Sequence, residues 1–259
     1  MQMFGLEQLM VVSLGRVRVL KSFCRSFKFL AFPFFLLFLG LCDTALAAPE
    51  VPQWNLVQQE DGIDIYTRPE PVSTMVSFRL VFSQSMPIHT IASTLLDIPG
   101  YASWMSYLIQ SRIIKRIAVD QFIAYQRFDF PWPFDDRDIV AEVTVKRDYK
   151  TGTLSAQIRA LPDPLVPIDE DCVRITNMWG EFVVQYLSSS LTKIIYSESF
   201  DPGGNFTQWL AEYVSLHMPL VVVASMKKEL REPSADRTQE ANSIAREIEK
   251  QVLNGSLPP

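Results

Sequence analysis

Apolar and polar residues alternate along much of the chain after residue 60, which predicts β-strands with one buried face. Residues 76–82 carry an apolar side chain at every second position, and residues 62–68 repeat the pattern. Further strands are predicted at residues 112–117, 121–130, 138–147, 154–159, 174–187 and 191–200, with the weakly patterned 154–159 leaving the strand count open. Because short turns join them, neighbouring strands are expected to be antiparallel. The sequence therefore predicts one curved antiparallel sheet in the α+β class.

Short helical segments are predicted before and among the strands. Residues 54–59 are interpreted as a short helix. Pro87 is expected to open a helix that runs to Leu96, since proline is favoured in the first helical turn. Another short helical segment is expected to include residues 101–107.

The longest predicted helix follows the last strand and runs from Phe206 to about Leu230, with a kink at Pro219. Asn205 is in position to cap it, and Gln208 three residues later gives the spacing of a capping box. At 1.5 Å per residue this helix is roughly 35 Å long, enough to cross the whole sheet. Its apolar stripe comprises Phe206, Trp209, Leu210, Tyr213, Val214, Leu220 and Val221.

The chain is expected to form one domain, residues 48–231, because no linker or internal repeat interrupts it. A polar tail, residues 232–259, follows. In the tail a narrow apolar seam predicts a loosely docked helix that can be removed without loss; the seam comprises Ala241, Ile244, Ile248 and Val252.

The first 47 residues have the pattern of a secretory signal peptide. A basic flank precedes the apolar run 29–41, and Ala45-Leu46-Ala47 then gives small residues in the A-x-A spacing of a cleavage site. We therefore expect cleavage near Ala47 and export to the periplasm or the exterior. A retained anchor is an alternative, although the run is shorter than the ~20 residues of a spanning helix. A second alternative is a lipid anchor on Cys42, although a lipidated cysteine normally follows a small residue and Cys42 follows Leu41.

The charge and the cysteine content of the chain restrict its possible partners and how the domain is stabilised. The chain has a formal net charge of −5 at pH 7, and the expected leader is basic, so the rest is more acidic still. This argues against nucleic acid and against electrostatic docking on anionic lipid, so any membrane contact should be transient and hydrophobic. Only Cys172 follows the leader, so an apolar core must stabilise the domain without a disulfide. A monomer is expected.

Two loops stand out by composition. Residues 130–138 join aromatic residues and two prolines to the charged residues Asp135-Asp136-Arg137-Asp138. Residues 201–204, Asp-Pro-Gly-Gly, break the last strand ahead of the long helix, and the glycines are expected to adopt positive φ in a turn. An apolar, stiff loop beside an apolar helix indicates a closable hydrophobic cavity. Arg137 and Asp138 are expected to form a structural ion pair or to hold the loop base.

The order of these elements resembles the START domain, the steroidogenic acute regulatory protein-related lipid-transfer fold. The resemblance covers about residues 53–231. It is carried by Trp54, Gly62-Ile63, Tyr66-Thr67-Arg68, Asp97, Tyr101, Trp104, Pro133 through Asp138, and Asp201-Pro202-Gly203-Gly204. It implies a helix-grip fold, in which the curved sheet wraps the long C-terminal helix around a tunnel for one lipid or sterol.

The resemblance also implies the ligand-binding residues. Trp132 and Phe134 lie where the family has a mobile loop beside the tunnel mouth, so they are expected to act as the gate. Trp209, Tyr213, Leu216 and Leu220 are expected to be lid residues that face the cavity or the gate. Several family members also carry a buried, acid-paired arginine that fixes the lipid headgroup. Arg79, Arg127 and Arg174 are the candidates, with Arg174 preferred.

Nothing in the sequence predicts catalysis. His89 and His217 lack partners at metal-ligand spacing, and the common nucleophile, phosphate-loop and zinc motifs are missing. Cys172 follows three acidic residues, which raise a thiol pKa. No cofactor, metal site or catalytic residue is expected. The leading interpretation is binding and transfer of a lipid or sterol outside the cytoplasm. A ligand sensor or scaffold, and a cyclase-like or hydrolytic enzyme, are the alternatives.

Overall fold

The computed structural model describes residues 53–70, 75–130, 134–162, 165–233, 239–251 and 254. These residues form one sheet of ten strands, a 3-10 helix and three α-helices. The strands are β1 (Asn55–Glu60), β2 (Ile63–Thr67), β3 (Val76–Gln84), β4 (Leu108–Ala118), β5 (Gln121–Phe128), β6 (Asp136–Asp148), β7 (Thr153–Ala160), β8 (Cys172–Ile175), β9 (Met178–Ser188) and β10 (Leu191–Phe200). The helices are α1 (Ile88–Leu96), the 3-10 helix Ile98–Ser103, α2 (Gln208–Arg231) and α3 (Gln239–Gln251). The predicted leader lies outside the described residues.

The sheet runs in the order β1-β2-β3-β10-β9-β7-β6-β5-β4, and every neighbouring pair in this order is antiparallel. The curved antiparallel sheet with its C-terminal helix confirms the predicted fold class. The weakly patterned 154–159 does join the sheet, since β7 pairs with β6 on one side and β9 on the other. Strand β8 lies outside this order and is the parallel strand of the described sheet, since it pairs with the start of β6. The predicted strand 174–187 is therefore two strands.

The prediction of a helix at 54–59 was wrong, because these residues form β1 and pair with β2 at the sheet edge. All six residues of β1 are exposed. A strand without a buried face has no alternation to reveal it, so its backbone pairing decides its structure.

The core lies between one face of the sheet and the helices α1 and α2. Its fully buried side chains come from both, and include Ile65, Leu80, Ile91, Leu95, Ile139, Ile194 and Val223. Among the described helices, α2 has the length and apolar composition of a membrane-spanning helix. The core helix of a folded domain can have the same length and composition. Helix α2 begins at Gln208 after Thr207, rather than after Asn205 as predicted, and Gln208 donates to Glu212 instead of closing a capping box.

The tail is more firmly attached than the sequence suggested. Helix α3 packs against α1, and Ile248 is only 4% exposed as part of the main core. Ile88 and Leu154 lie around the same small cleft as Ile248. Ile248 is the seam residue whose side chain the structure describes; nothing is described for the side chains of Ala241 and Ile244. Val252 lies outside the described residues.

Candidate functional site

A cavity lies between the sheet, the 3-10 helix and α2, and its volume is about 100 Å³. Strand alternation places the lining side chains on one face of β5, β6, β9 and β10. The sheet residues lining it are mostly apolar: Phe78, Ala124, Gln126, Phe128, Phe130, Ile139, Ala141, Val143, Ile158, Ile175, Met178, Phe182, Tyr196, Glu198 and Phe200. Helical and loop segments contribute Ile98, Tyr101, Met105, Ser106, Val214, Met218, Pro219 and Val222.

Helix α2 turns one face toward the sheet, and four side chains of the helix line the cavity: Val214, Met218, Pro219 and Val222. Buried positions recur with the helical period along it: Ala211, Val214, Ser215, Pro219, Val223, Met226 and Leu230. Their spacing follows the one-face pattern of an amphipathic helix. The opposite face carries large side chains in solvent, with Trp209 65% and Tyr213 54% exposed.

This orientation corrects the predicted lid. Trp209 and Tyr213 do not line the cavity, and Tyr213 instead stacks on His217 with ring centroids 4.1 Å apart. Leu216 lines a separate groove beside β2 and β3, while Leu220 is half-buried against the core. The helix is apolar nearly all round, so the sequence pattern favoured the bulkiest side chains rather than those facing the sheet.

One predicted gate residue can be placed. Phe134 is half-buried and contacts Phe206 at the start of α2, with ring centroids 6.0 Å apart. It packs beside the cavity rather than lining it. Trp132, with both flanking prolines, lies outside the described residues.

Arg137 and Asp138 take different partners, because successive strand residues point to opposite faces of the sheet. The Arg137 guanidinium is 2% exposed and donates to the carbonyl oxygens of Pro202 and Asp135, at 3.2 and 2.5 Å. Its third bond, to the Gly203 carbonyl, is 3.4 Å long. Burial lowers the pKa of Arg137. Arg137 and Asp138 therefore do not pair with each other; the contacts agree with the other expectation, a role in holding the loop base, and Arg137 also holds the Asp201–Gly204 turn.

An aromatic box surrounds the same guanidinium. Its carbon lies 4.8 Å from the ring centroid of Phe130, 5.7 Å from that of Phe206 and 6.0 Å from that of Phe134. Cation–π attraction strengthens when the cation is desolvated, as here. The φ angles of Gly203 and Gly204 are +65° and +63°, which confirms the predicted turn. Arg137 thereby ties Phe130, Phe134 and Asp135 to the turn before α2.

Arg174 lies on the other face of the sheet. Its Nε and Nη2 donate to the two carboxylate oxygens of Asp138, at 2.6 and 2.9 Å. Both side chains are almost fully buried, with 6% and 1% exposure. The other candidates also lie away from the cavity: Arg127 pairs with Asp136 and Asp169, and Arg79 binds the Ser197 hydroxyl. None of the three lines the cavity.

Cys172 is buried on this opposite side of the sheet. Burial raises the pKa of its thiol to about 11, and Asp138 adds to the shift. The sequence also predicted a raised pKa for this thiol, but from the neighbouring acidic residues. In the structure the larger cause is removal of the thiol from water, and the charge of Asp138 is the smaller one. A thiol held protonated in this way is a poor nucleophile.

Sequence analysis missed the most polar feature of the cavity. Glu198 projects into it from β10, and its Oε2 accepts a hydrogen bond from the Tyr196 hydroxyl. Desolvation by burial raises the pKa of Glu198 to about 7, and the bond from Tyr196 opposes the shift. The sequence does contain an indication of this site: Glu198 is a single acidic residue that alternates with Tyr196 and Phe200 on the apolar face of its strand.

Comparison with known proteins matches most of the chain to one family model. The START domain model matches residues 44–234 of the chain. An uncharacterised protein of Pseudomonas aeruginosa is 26% identical over 188 residues, which cover 73% of this chain and 90% of that one.

Solved structures share the fold. A STAR-related lipid transfer protein fragment from Xanthomonas axonopodis matches 69% of this chain and 99% of its own, with 23% identity and a TM-score of 0.62. Human STARD10 matches 79% of this chain and 82% of its own, with 17% identity and a TM-score of 0.64.

Proposed function

The chain belongs to the START domain family, whose members generally bind lipids or other hydrophobic ligands, and on that premise we propose that it binds one such molecule in the cavity and carries it between membranes outside the cytoplasm. The observation that supports this most directly is the lining of the cavity. Most of its 23 side chains are aliphatic, aromatic or methionine. The proposal assigns no catalytic step to the bound molecule.

Transfer free energies explain why a carrier needs such a lining. Moving a lipid chain from a bilayer into water costs about 0.8 kcal/mol per methylene. A cavity walled by the sheet and α2 removes this penalty, because the chain exchanges one apolar surrounding for another. Binding therefore needs an enclosed apolar space rather than strong specific contacts.

The cavity must widen to accept a lipid, since about 100 Å³ is small against the 300–1,000 Å³ usual for ligand sites. Three methionines, Met105, Met178 and Met218, line it. Their unbranched side chains adopt several rotamers and repack around ligands of different shape. Movement of α2 away from the sheet would widen the cavity along its whole length, and the Arg137 contacts lie at the end where this movement would begin.

The outer face of α2 supports a transient membrane contact. Trp209, Tyr213 and Val221 are exposed on it, and aromatic residues favour the boundary between headgroups and acyl chains. The acidic balance of the chain leaves little electrostatic attraction to anionic lipid. Contact would therefore be short-lived, as a carrier that must leave the membrane requires. The setting outside the cytoplasm rests on the leader-like pattern of residues 1–47.

Transfer of a fluorescent lipid from donor to acceptor vesicles tests the proposal. The protein should accelerate transfer in proportion to its concentration. Met218→Trp fills the cavity and should slow transfer about tenfold, while Val119→Trp, at an exposed position in the turn between β4 and β5, should leave it unchanged. Equal transfer by both variants, or none by the unaltered protein, would contradict a carrier. A sensor would retain its ligand instead of exchanging it.

A further inference from the structure

Glu198 is the one formally acidic group among the side chains that line the cavity. On β10 it lies opposite Phe78 of β3 and Gly180 of β9. Phe78 shields it on one side, while Gly180 has no side chain to cover it on the other. Tyr196, its hydrogen-bond donor, is itself fixed by stacking on Phe182 with centroids 4.1 Å apart.

The two carboxyl oxygens of Glu198 are not equivalent. Oε2 accepts the bond from Tyr196, whereas Oε1 has no protein partner among the described residues. Glu198 is half-buried and lines the cavity, so Oε1 is accessible from that space. A ligand group that donates to Oε1 would complete the hydrogen bonding of this carboxyl group inside an otherwise apolar cavity.

The charges around the cavity restrict which ligand can do so. No Lys, Arg or His is among the described residues that line it. The one buried guanidinium nearby, Arg137, is already occupied by backbone carbonyls. A phosphate or carboxylate in the cavity would meet a glutamate and find no cation, so an anionic headgroup would be buried uncompensated.

We propose that Glu198 Oε1 is the polar anchor of the ligand, and that the ligand is an amphiphile whose polar group donates a hydrogen bond, a hydroxyl or an amine. This rests on the proposed function, because it assumes that the cavity is where the ligand binds. Carboxylate and carboxylic acid alike have an acceptor lone pair on this oxygen. An amine in its ammonium form adds charge pairing when Glu198 is ionised.

A series with one chain length separates the headgroup from the tail. Dodecanol, dodecylamine, dodecanoate and the probe dodecane are titrated into the delipidated protein by calorimetry. Dodecanol and dodecylamine should bind at least about tenfold more tightly than dodecanoate, the difference that one buried hydrogen bond produces. Preference for dodecylamine over dodecanol would identify an amine, and the reverse order a hydroxyl.

Variants assign the preference to Glu198. Glu198→Leu should lose the tenfold preference for dodecanol while still binding dodecane. Glu198→Gln retains an acceptor oxygen and should keep dodecanol but lose the charge-dependent part of dodecylamine binding. Glu181→Gln, one residue along β9 from Gly180 and facing the other side of the sheet, is the matched control and should change neither. Thermal melts establish that each variant is folded.

Two failures are distinguishable. Binding of the series without headgroup preference, or a preference that survives in Glu198→Leu, overturns this inference and leaves the proposed function standing. No binding by any member, dodecane included, overturns both.

Discussion

At the scale of single residues, the ionisable side chains of Arg137 and Glu198 are held within the fold without an ion-pair partner among the described residues. Arg137 is held by carbonyl oxygens and three aromatic rings. Glu198 is held by Tyr196 in an apolar cavity. Charges buried without a counter-ion are expensive, so each is expected to affect stability in a way that a surface charge does not.

For Glu198 the effect depends on pH. Its folded pKa of about 7 exceeds its ordinary value of 4.5, so the folded state binds the proton more tightly than the unfolded state. The free energy of unfolding should therefore fall as pH rises from about 4.5 to 7 and then level off. Glu198→Gln stays neutral, so its stability relative to the unaltered protein should rise by about 3 kcal/mol across this range.

Urea unfolding at pH 5 and pH 8 measures this difference, with Glu181→Gln as the control for removing a carboxylate elsewhere on the sheet. A constant difference between the two pH values would show that Glu198 is solvated.

Arg137→Lys keeps the charge but cannot reach three carbonyl oxygens and three rings at once. It should lower the free energy of unfolding by about 2–3 kcal/mol. The control is Arg127→Lys, whose ion pairs with Asp136 and Asp169 are partly exposed and should contribute less than about 1 kcal/mol. Similar losses in both variants, in thermal or urea unfolding, would place Arg137 among ordinary surface charges.

At the scale of elements, sequence pattern predicted the pieces whose structure depends on a buried face. The strands β2, β3, β5, β6, β7, β9 and β10 and helix α1 have such a face, and their positions were close to those predicted. Strand β1 has no buried face, and this is why the sequence pattern predicted a helix at residues 54–59. β8 was merged with β9 because its parallel pairing to β6 joins residues far apart in the sequence and leaves no periodic pattern within residues 174–187.

Candidate site residues were harder to predict for a related reason. Helix α2 is apolar on both faces, so its periodicity does not say which face meets the sheet. The aromatic Trp209 and Tyr213 were chosen, while the cavity takes Val214, Met218 and Val222. Burial of a lone arginine or glutamate is likewise a property of the assembled fold. Strand alternation placed Glu198 on an apolar face, but only the packing shows that this face is closed.

The exposed face of α2 gives a prediction about membranes. Trp209→Ser together with Tyr213→Ser should reduce sedimentation with neutral phospholipid vesicles several-fold, because both side chains are exposed and apolar. The melting temperature should stay the same. Gln208→Ser with Glu212→Ser, exposed polar positions on the same helix, is the control. Vesicle binding that is unchanged by loss of the two aromatics would move membrane contact to another surface.

Helix α3 gives a second prediction at this scale. Ile248→Ala should lower the free energy of unfolding by about 2–4 kcal/mol, as for a buried aliphatic residue, while Glu247→Ala, exposed on the same helix, should change little. Guanidinium unfolding compares the two. Equal, small effects would mean that α3 is only loosely attached and that the tail is dispensable after all.

At the scale of the whole molecule, one arrangement links these parts. The sheet supplies a concave apolar face, α2 closes it, and Arg137 joins the loop before β6 to the turn before α2. The cavity therefore lies between elements that are joined at one end by the contacts of Arg137. A carrier requires this combination, because its ligand must be shielded in transit and released at a membrane.

Native mass spectrometry of the protein purified from its own host, followed by organic extraction, tests this account most directly. We expect one hydrophobic molecule per chain, released by extraction and replaced after incubation with mixed-lipid vesicles. Met218→Trp should carry less of it than Val119→Trp. A protein that is empty on purification, and still empty after incubation with vesicles, would contradict the account.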